Sequence, residues 1–243
     1  MAKIPKKPEE IFSEITDDFR KTFGDDLISI ILYGSGASGD YVPGKSDLNF
    51  LVIVSEKGID DLERAMKTVA RWRKRKVATP LFMTKSYILS SLDSYPLEFF
   101  DILRNHILVF GEDVLSGLSI DHSYLRLQLE REIKGKTLLL RKAFLETEGR
   151  VKQLRNLINV SLDVFISIFK ALLYLKNLEI PPHRRDVIRA AAKEFPFDPD
   201  VFLKCADIKE GIGNFPTSDI QTIFKTYIRE VKKLSEVVDR MKV

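Results

Sequence analysis

Two short stretches decide how the N-terminal half of this chain is expected to fold: Leu-Tyr-Gly-Ser at residues 32–35 and Asp-Leu-Asn-Phe-Leu-Val-Ile-Val at residues 47–54. The first closes an apolar run that begins at Leu27, and the second is apolar from Phe50 onward. Short apolar runs bounded by Gly, Pro and Ser are typical of buried β-strands. The sequence therefore predicts two buried strands, with a glycine-rich bend directly after the first.

The residues at the ends of these two strands have the chemistry of a polyphosphate site. Gly34 allows the backbone to approach a triphosphate closely, and Ser35 offers a hydroxyl and an amide to phosphate oxygens. Side chains two positions apart on a strand point to the same face, so Asp47 and Asn49 are expected to face one metal ion. The pattern predicts Gly34 and Ser35 as phosphate-binding residues, and Asp47 and Asn49 as metal ligands, with Asp47 also catalytic.

The pairing of Gly34-Ser35 with Asp47-Leu48-Asn49 resembles the signature of the nucleotidyltransferase superfamily, which includes kanamycin nucleotidyltransferase and the DNA polymerase beta-like enzymes. Residues 91–98 and 109–115 are also similar to segments of the aminoglycoside nucleotidyltransferase relatives. The resemblance implies an α/β (α+β) fold with a small mixed-sheet nucleotidyltransferase domain followed by an all-α helical bundle. It also implies transfer of a nucleoside monophosphate from a magnesium-bound nucleoside triphosphate to a hydroxyl acceptor, with pyrophosphate leaving.

The expected metal site is incomplete in this sequence. The resemblance implies three carboxylates that hold two magnesium ions, but the second position is Asn49, and the predicted third strand at residues 77–83 contains no acid. An asparagine carbonyl can ligate magnesium but brings no negative charge, and hard dications prefer carboxylates. The sequence therefore predicts a protein that binds a nucleoside triphosphate, with magnesium binding weak or absent and nucleotidyl transfer weak or lost.

Two alternatives remain open at this point. In one, the protein is an active magnesium-dependent nucleotidyltransferase with a rebuilt site that recruits Asp40, Asp93, Glu98 or Asp101. In the other, the fold serves only as a non-catalytic scaffold for protein contacts. The acceptor is either a small molecule or a macromolecule, and neither its identity nor the base of the nucleotide follows from the sequence.

The remaining pattern predicts mostly helices. In the first half we expect a helix at residues 11–23, a helix at 59–75 with Leu62, Met66 and Val69 on one face, a third strand at 77–83 at a sheet edge because of Pro80, short helices at 84–100, and a strand at 106–110. In the second half we expect helices at 125–144, 151–175, 184–195 and 220–241. These elements predict a nucleotidyltransferase-like domain at residues 1–118 and a helical bundle at 119–243.

Residues 71–76 form the densest basic run of the chain, Arg-Trp-Arg-Lys-Arg-Lys. Trp72 there is able to stack on a base or sugar while the cations meet phosphates. The run also lies at the end of a predicted helix, where cations complement the dipole and Trp72 packs inward. We favour the second, structural interpretation.

A polar stripe runs along the predicted helix at residues 151–175. Arg155, Asn159, Asp163 and Ser167 recur every four residues and therefore share one face. The resemblance implies that the helical domain supplies the base for the acceptor hydroxyl, and Asp163 is the candidate. A buried hydrogen-bond network between helices explains the same stripe without chemistry, and both interpretations stay open.

Composition limits the remaining possibilities. A single cysteine, Cys205, and three histidines make a thiolate or zinc cluster improbable. No run of roughly 18 apolar residues and no signal peptide is recognised, which predicts a cytoplasmic protein without membrane contact. The net charge of +4 is concentrated in residues 119–243, with 23 Lys/Arg against 17 Asp/Glu. A nucleic-acid partner is compatible with this excess but is not favoured. A homodimer is also compatible with the sequence.

Overall fold

The structure is a computed structural model that describes residues 3–242. Met1, Ala2 and Val243, which the predicted domain limits include, lie outside the described residues. The chain divides into two compact units. Unit 1 comprises the residues up to Ser94 together with Glu98–Ile120, and unit 2 comprises Tyr95–Leu97 and the residues from Asp121 onward.

Unit 1 is built on a four-stranded mixed sheet. The strands are β1 (Leu27–Tyr33), β2 (Asn49–Val54), β3 (Leu81–Met83) and β4 (His106–Gly111), in the order β3-β2-β1-β4. Strand β1 runs antiparallel to β2 and β4, whereas β3 is parallel to β2. The sheet is followed in the chain by a long helical region, so the predicted fold class is confirmed.

Short helices surround this sheet. Their bounds are α1 (Phe12–Phe23), α2 (Ser35–Ser38), α3 (Glu56–Asp60), α4 (Met66–Arg73), α5 (Lys85–Ser91) and α6 (Pro96–Arg104), with short 3-10 turns before α1, β1 and α4. Helix α1 places Ile15, Phe19 and Phe23 at helical spacing into the same apolar core as β1 and β2. The central strands are buried on both faces, which explains why they read as continuous apolar runs.

The continuous helix expected at residues 59–75 was wrong. The segment is broken into α3, a 3-10 turn at Leu62–Ala65 and α4. Of the residues expected on one face, Leu62 and Met66 are exposed and Val69 is half-buried, whereas Ala65 and Trp72 are buried. The break changes the helical phase, so that the spacing counted along one uninterrupted helix no longer identifies the buried face.

The third strand is shorter than expected. Only Leu81–Met83 pairs with β2, at the sheet edge as Pro80 indicated, and an isolated parallel bridge joins Val77 to Leu48. Between these two points lies Pro80, which has no N–H to give to a ladder, so the pairing is interrupted there. The segment nevertheless follows the edge of β2 over its whole length.

Unit 2 is helical. Its long helices are α7 (His122–Glu146), α8 (Val151–Leu175), α9 (Arg184–Glu194), α10 (Pro199–Glu210) and α11 (Thr217–Asp239). Aromatic side chains at edge-to-face geometry join three of them, because Phe202 of α10 lies 5.0 Å from Phe169 of α8 and 5.3 Å from Tyr227 of α11 between ring centroids. Such pairs add to the burial of large apolar surface, so α8, α10 and α11 form the centre of this unit.

Helix α8 is long and apolar enough to meet the length and hydropathy criteria of a membrane span, although Arg155, Asp163 and Lys170 interrupt its apolar sequence. Half of its most apolar window is buried inside the protein. Core helices that pack on several neighbours pass the same test, and α8 has eleven buried residues, from Leu154 to Leu175.

Candidate nucleotide site

The predicted bend lies directly after β1. Gly34 has φ +71° and ψ −147°, close to a region of backbone conformation that is essentially restricted to glycine. Its carbonyl accepts hydrogen bonds from the amides of Ala37 and Ser38 at 2.9 and 3.0 Å, which turns the chain into α2. Helix α2 is a single turn of four residues, so its dipole is much smaller than that of a longer helix.

A second glycine, Gly36, packs this turn onto the neighbouring strand. It is buried, and a Cβ atom at this position would lie 2.9 Å from Leu48 Cδ2 and 3.2 Å from Leu32 Cδ1. Contacts this short are overpacked in a core where both leucines are fully buried. The Gly-Ser-Gly sequence therefore brings the bend against the residues that precede β2.

Asn49 lies beside this bend, and strand alternation is expected to place Asp47 on the same face. Asn49 pairs with Tyr33 across the sheet, and its Nδ2 atom would lie 3.3 Å from a Cβ atom at Gly34. Leu48, between the two polar residues, is fully buried. Because alternate residues of an extended segment point to opposite faces, Asp47 shares the outer face with Asn49, and 54% of its side chain is exposed.

The loop after the bend returns to the same region. Burial, followed by the negative charges of Glu10 and Asp47, raises the pKa of the Tyr41 phenol, whose hydroxyl donates to the Pro5 carbonyl at 2.9 Å. The charge of Asp47 therefore acts on residues of the bend loop. The Ser35 hydroxyl is half-buried and, within residues 3–242, has no protein hydrogen-bond partner, which leaves it available to a ligand.

The residues present do not fit a resident magnesium ion. Magnesium takes a near-ideal octahedron of oxygen ligands, usually with one or two carboxylates and several waters, and here Asp47 supplies a single carboxylate and Asn49 an uncharged amide. Lys76 also places its Nζ atom 3.6 Å from Asp47 Oδ1. Among residues 3–242 no three His, Cys, Asp or Glu side chains form a group that could hold a metal ion.

The four acids named as replacements occupy different surroundings. Asp40 lies closest to the bend, because its amide donates to the Ser35 carbonyl at 3.1 Å and its carboxylate accepts from Ser38 Oγ at 2.9 Å. Asp93 accepts from its neighbour Ser94. Glu98 and Asp101 lie on α6. Within the described part of the chain these acids and Asp47 do not form a group of three or more potential metal ligands, and the rebuilt site stays a prediction.

The basic run has divided roles. Trp72 is 1% exposed and its Nε1 donates to Asp18 Oδ2 at 2.9 Å, so the prediction that it packs inward is confirmed. Arg71 pairs with the same carboxylate, and Arg75 pairs with Glu14 of α1. Lys76 alone in this run reaches Asp47, and sequence reasoning missed it. Its position directly before Val77, where the strand expected to carry the third acid begins, was the available signal.

In unit 2 the polar stripe on α8 forms contacts with neighbouring helices and loops. Arg155 donates to the Phe215 carbonyl at 3.0 Å, and Lys209 of α10 donates to the Asn159 carbonyl and to Asp163 Oδ2 at 2.7 and 2.6 Å. Arg184 lies 3.6 Å from the other carboxylate oxygen of Asp163. Arg155 and Asp163 thus contact neighbouring segments, but the contacts of Asp163 are exposed and Asn159 contributes only its backbone carbonyl, while its buried side-chain oxygen has no partner among the described residues. The role of Asp163 as a base stays a prediction.

Part of the same stripe also faces open space. A cavity of about 960 Å³ lies beside the end of α7 and the start of α8, and Arg155 and Asn159 line it together with Thr147 and Gln153. The stripe therefore combines a structural network with a polar cavity wall inside unit 2.

The mixed sheet, the glycine bend and the polar positions at the start of β2 together define the nucleotidyltransferase fold. A solved structure with this fold is similar to the chain: the crystal structure of spectinomycin adenyltransferase AAD(9) from Enterococcus faecialis with ATP and spectinomycin. The two share 15% sequence identity with a TM-score of 0.53, over 92% of this chain and 98% of the other. No family model and no curated protein matches the sequence. The likeness shows the fold.

Proposed function

We propose that the protein binds a nucleoside triphosphate at the bend formed by Gly34 and Ser35, and that nucleotidyl transfer to a hydroxyl acceptor is weak or lost. The observation that carries this proposal is the placement of the Gly34 backbone against Asn49, with Asp47 on the same face. A backbone without a side chain, an available hydroxyl and open polar positions are what a polyphosphate chain requires. The similar adenyltransferase structure contains ATP, which is consistent with this ligand class.

The loss of transfer follows from the charges of the site. Phosphoryl chemistry depends on positive charge that offsets the developing negative charge on the transferred group and on pyrophosphate. A site with one carboxylate and one amide has little means to hold two metal ions in place. Loss of a single electrostatic contact at such sites commonly costs about 100- to 1,000-fold in rate. We therefore expect the protein to retain nucleotide binding while its rate of nucleotidyl transfer is low.

The acceptor side of the proposal rests on Asp163. Its carboxylate is exposed on α8 but is already contacted by Lys209 and Arg184. If Asp163 acts only in this network, Asp163→Leu will lower the stability of unit 2. If it serves an acceptor, Asp163→Asn will reduce acceptor-dependent turnover while the melting temperature stays close to that of the native protein.

Calorimetric titration with ATP, GTP, CTP and UTP, each with magnesium and with EDTA, tests the binding proposal. Binding of at least one triphosphate supports it, and Gly34→Ala should reduce that binding because a side chain there meets Asn49. Asn49→Asp should add a magnesium-dependent component, since it restores a carboxylate. Absence of binding to all four nucleotides would overturn the proposal and leave a scaffold.

Release of pyrophosphate tests the catalytic part. The protein is incubated with the triphosphate that binds best and a panel of hydroxyl acceptors, including aminocyclitol and aminoglycoside antibiotics. We expect release within about 100-fold of the uncatalysed background at most. Rapid acceptor-dependent release would show instead that the protein is an active enzyme with a rebuilt site.

A further inference from the structure

Lys76 is held beside the strand that carries Asp47 by backbone contacts. Its carbonyl accepts a hydrogen bond from the Leu48 amide at 2.9 Å, and the Ala78 amide donates to the Leu48 carbonyl at the same distance. These two bonds align residues 76–78 with residues 47–49. The ammonium of Lys76 thereby lies 3.6 Å from Asp47 Oδ1.

The backbone of Lys76 has an unfavourable conformation for a residue with a side chain. Its φ is +64°, in the left-handed region, where a non-glycine residue costs about 1–2 kcal/mol. Glycine would fit this turn with less strain. The backbone conformation of this turn therefore does not favour a lysine over a glycine.

The ion pair between Lys76 and Asp47 contributes little to the stability of the fold. The Lys76 side chain is 43% exposed and that of Asp47 is 54% exposed. Pairs with this exposure contribute about 0–1 kcal/mol because solvent screens them. An ammonium group has three donors, so contact with one carboxylate oxygen leaves further N–H groups for anionic oxygens of a ligand.

From these observations we propose that the Lys76 ammonium takes the place of the divalent cation, so that the site binds the polyphosphate of a nucleotide without magnesium. This inference rests on the proposed nucleotide binding at Gly34 and Ser35. Asp47 then forms only an exposed ion pair with the ammonium, and the uncharged Asn49 avoids a second carboxylate beside the phosphates. The ligand class is a polyphosphate chain with a nucleoside attached.

The test is titration of the full-length protein with ATP, AMP and inorganic tripolyphosphate, in EDTA and in excess magnesium. The native protein should bind ATP with the same affinity, within about twofold, in both conditions. Lys76→Gln should weaken ATP and tripolyphosphate binding in EDTA by about 10- to 100-fold, since one charge-assisted contact is lost. AMP binding should change far less, because AMP lacks the polyphosphate.

Two controls separate this effect from folding and from net charge. Lys76→Gly removes the ammonium while relieving the left-handed backbone, so it should lose ATP affinity without losing thermal stability. Lys74→Gln removes one charge two residues away, on an exposed position, and should leave ATP affinity unchanged. Equal losses in Lys74→Gln and Lys76→Gln would show a diffuse charge effect and overturn the proposal.

The outcomes also distinguish this inference from the proposed function. ATP binding that requires magnesium and that Lys76→Gln does not weaken would overturn the role of Lys76 while nucleotide binding stands. No binding of ATP, AMP or tripolyphosphate in either condition would overturn both. Magnesium-independent binding that depends on Lys76 supports both.

Discussion

The two ends of the β1–β2 hairpin hold the same kinds of residues in different ways. At the end away from the bend, Asp26 accepts from Ser55 Oγ at 2.6 Å and pairs with Arg64 at 2.7 Å, with 18% of its side chain exposed. At the bend end, the exposed carboxylate of Asp47 meets Lys76 at 3.6 Å. We call the Asp26 end the closed end, because its carboxylate is fully paired, and the Asp47 end the open end, because its carboxylate is exposed.

This difference shows which parts of the hairpin serve stability. The Asp26 carboxylate has partners on both oxygens, and the Ser55 amide donates to the Asp26 carbonyl at 2.8 Å, so little is left for a ligand. The polar groups at the bend end retain unused hydrogen-bonding capacity. Substitutions at the closed end should therefore act on folding, whereas those at the open end should act on nucleotide binding unless they change the backbone.

The largest effect on stability is expected from Gly34→Ala, an open-end substitution that alters the backbone. Gly34→Ala should lower the free energy of unfolding by about 2 kcal/mol, because alanine is strained at this φ and ψ and its Cβ would crowd Asn49. Denaturant unfolding measures this. Gly39→Ala is the matched control: φ there is +84° with no neighbouring atom within 4 Å, so about 1 kcal/mol is expected. Equal losses at both would mean that the contact with Asn49 is unimportant.

The features of the open end that depend on local backbone conformation were predictable from the sequence. Gly34 next to Ser35, after an apolar run, predicted the bend after β1. The alternation of Asp47, Leu48 and Asn49 predicted that the two polar residues share a face. These features are local, since glycine conformations and strand alternation depend on neighbouring residues. The expected place of both strands was therefore confirmed.

The parts that failed depend on contacts distant in sequence. The helix expected at residues 59–75 breaks where Arg64 turns toward Asp26, a residue 38 positions earlier. Lys76 reaches Asp47 only because the edge segment pairs with Leu48. Hydrophobic periodicity contains no information about such pairings, so it identified neither the break nor the cation of the site.

An intermediate effect is expected at the closed end from Ser55, which also caps α3 by accepting from the Gly58 amide at 3.0 Å. Ser55→Ala should lower the free energy of unfolding by about 1 kcal/mol, the usual cost of losing such a cap. ATP affinity should be unchanged because the residue lies at the other end of the strands. Ser38→Ala, an exposed hydroxyl on α2, is the control for stability and should cost less than about 0.5 kcal/mol.

A smaller, pH-dependent effect is expected from Asp26→Asn. Hydrogen bonds from Ser55 and then Arg64 lower the pKa of Asp26 below its ordinary value of 3.8. Because the folded-state pKa is depressed, the stabilisation is present above pH 3.8 and is lost as the pH falls through the folded-state pKa. The melting temperature of Asp26→Asn should therefore be lower than that of the native protein at pH 7, and the two should converge below pH 3.8. A constant difference across this range would contradict the assignment.

The smallest effect on stability is expected at the open counterpart of Asp26. Asp47→Asn should change the free energy of unfolding by less than about 0.5 kcal/mol, since the pair with Lys76 is exposed and screened. Asp60→Asn, another exposed acid of unit 1, is the control.

The more informative measurement on Asp47→Asn is ATP affinity in EDTA. This affinity should be retained or rise, because the lost carboxylate repels phosphates by about 1 kcal/mol at such distances in water. A fall in ATP affinity confined to magnesium-containing buffer would show that Asp47 is a metal ligand after all. The cation at the open end would then be a bound magnesium ion and not the Lys76 ammonium.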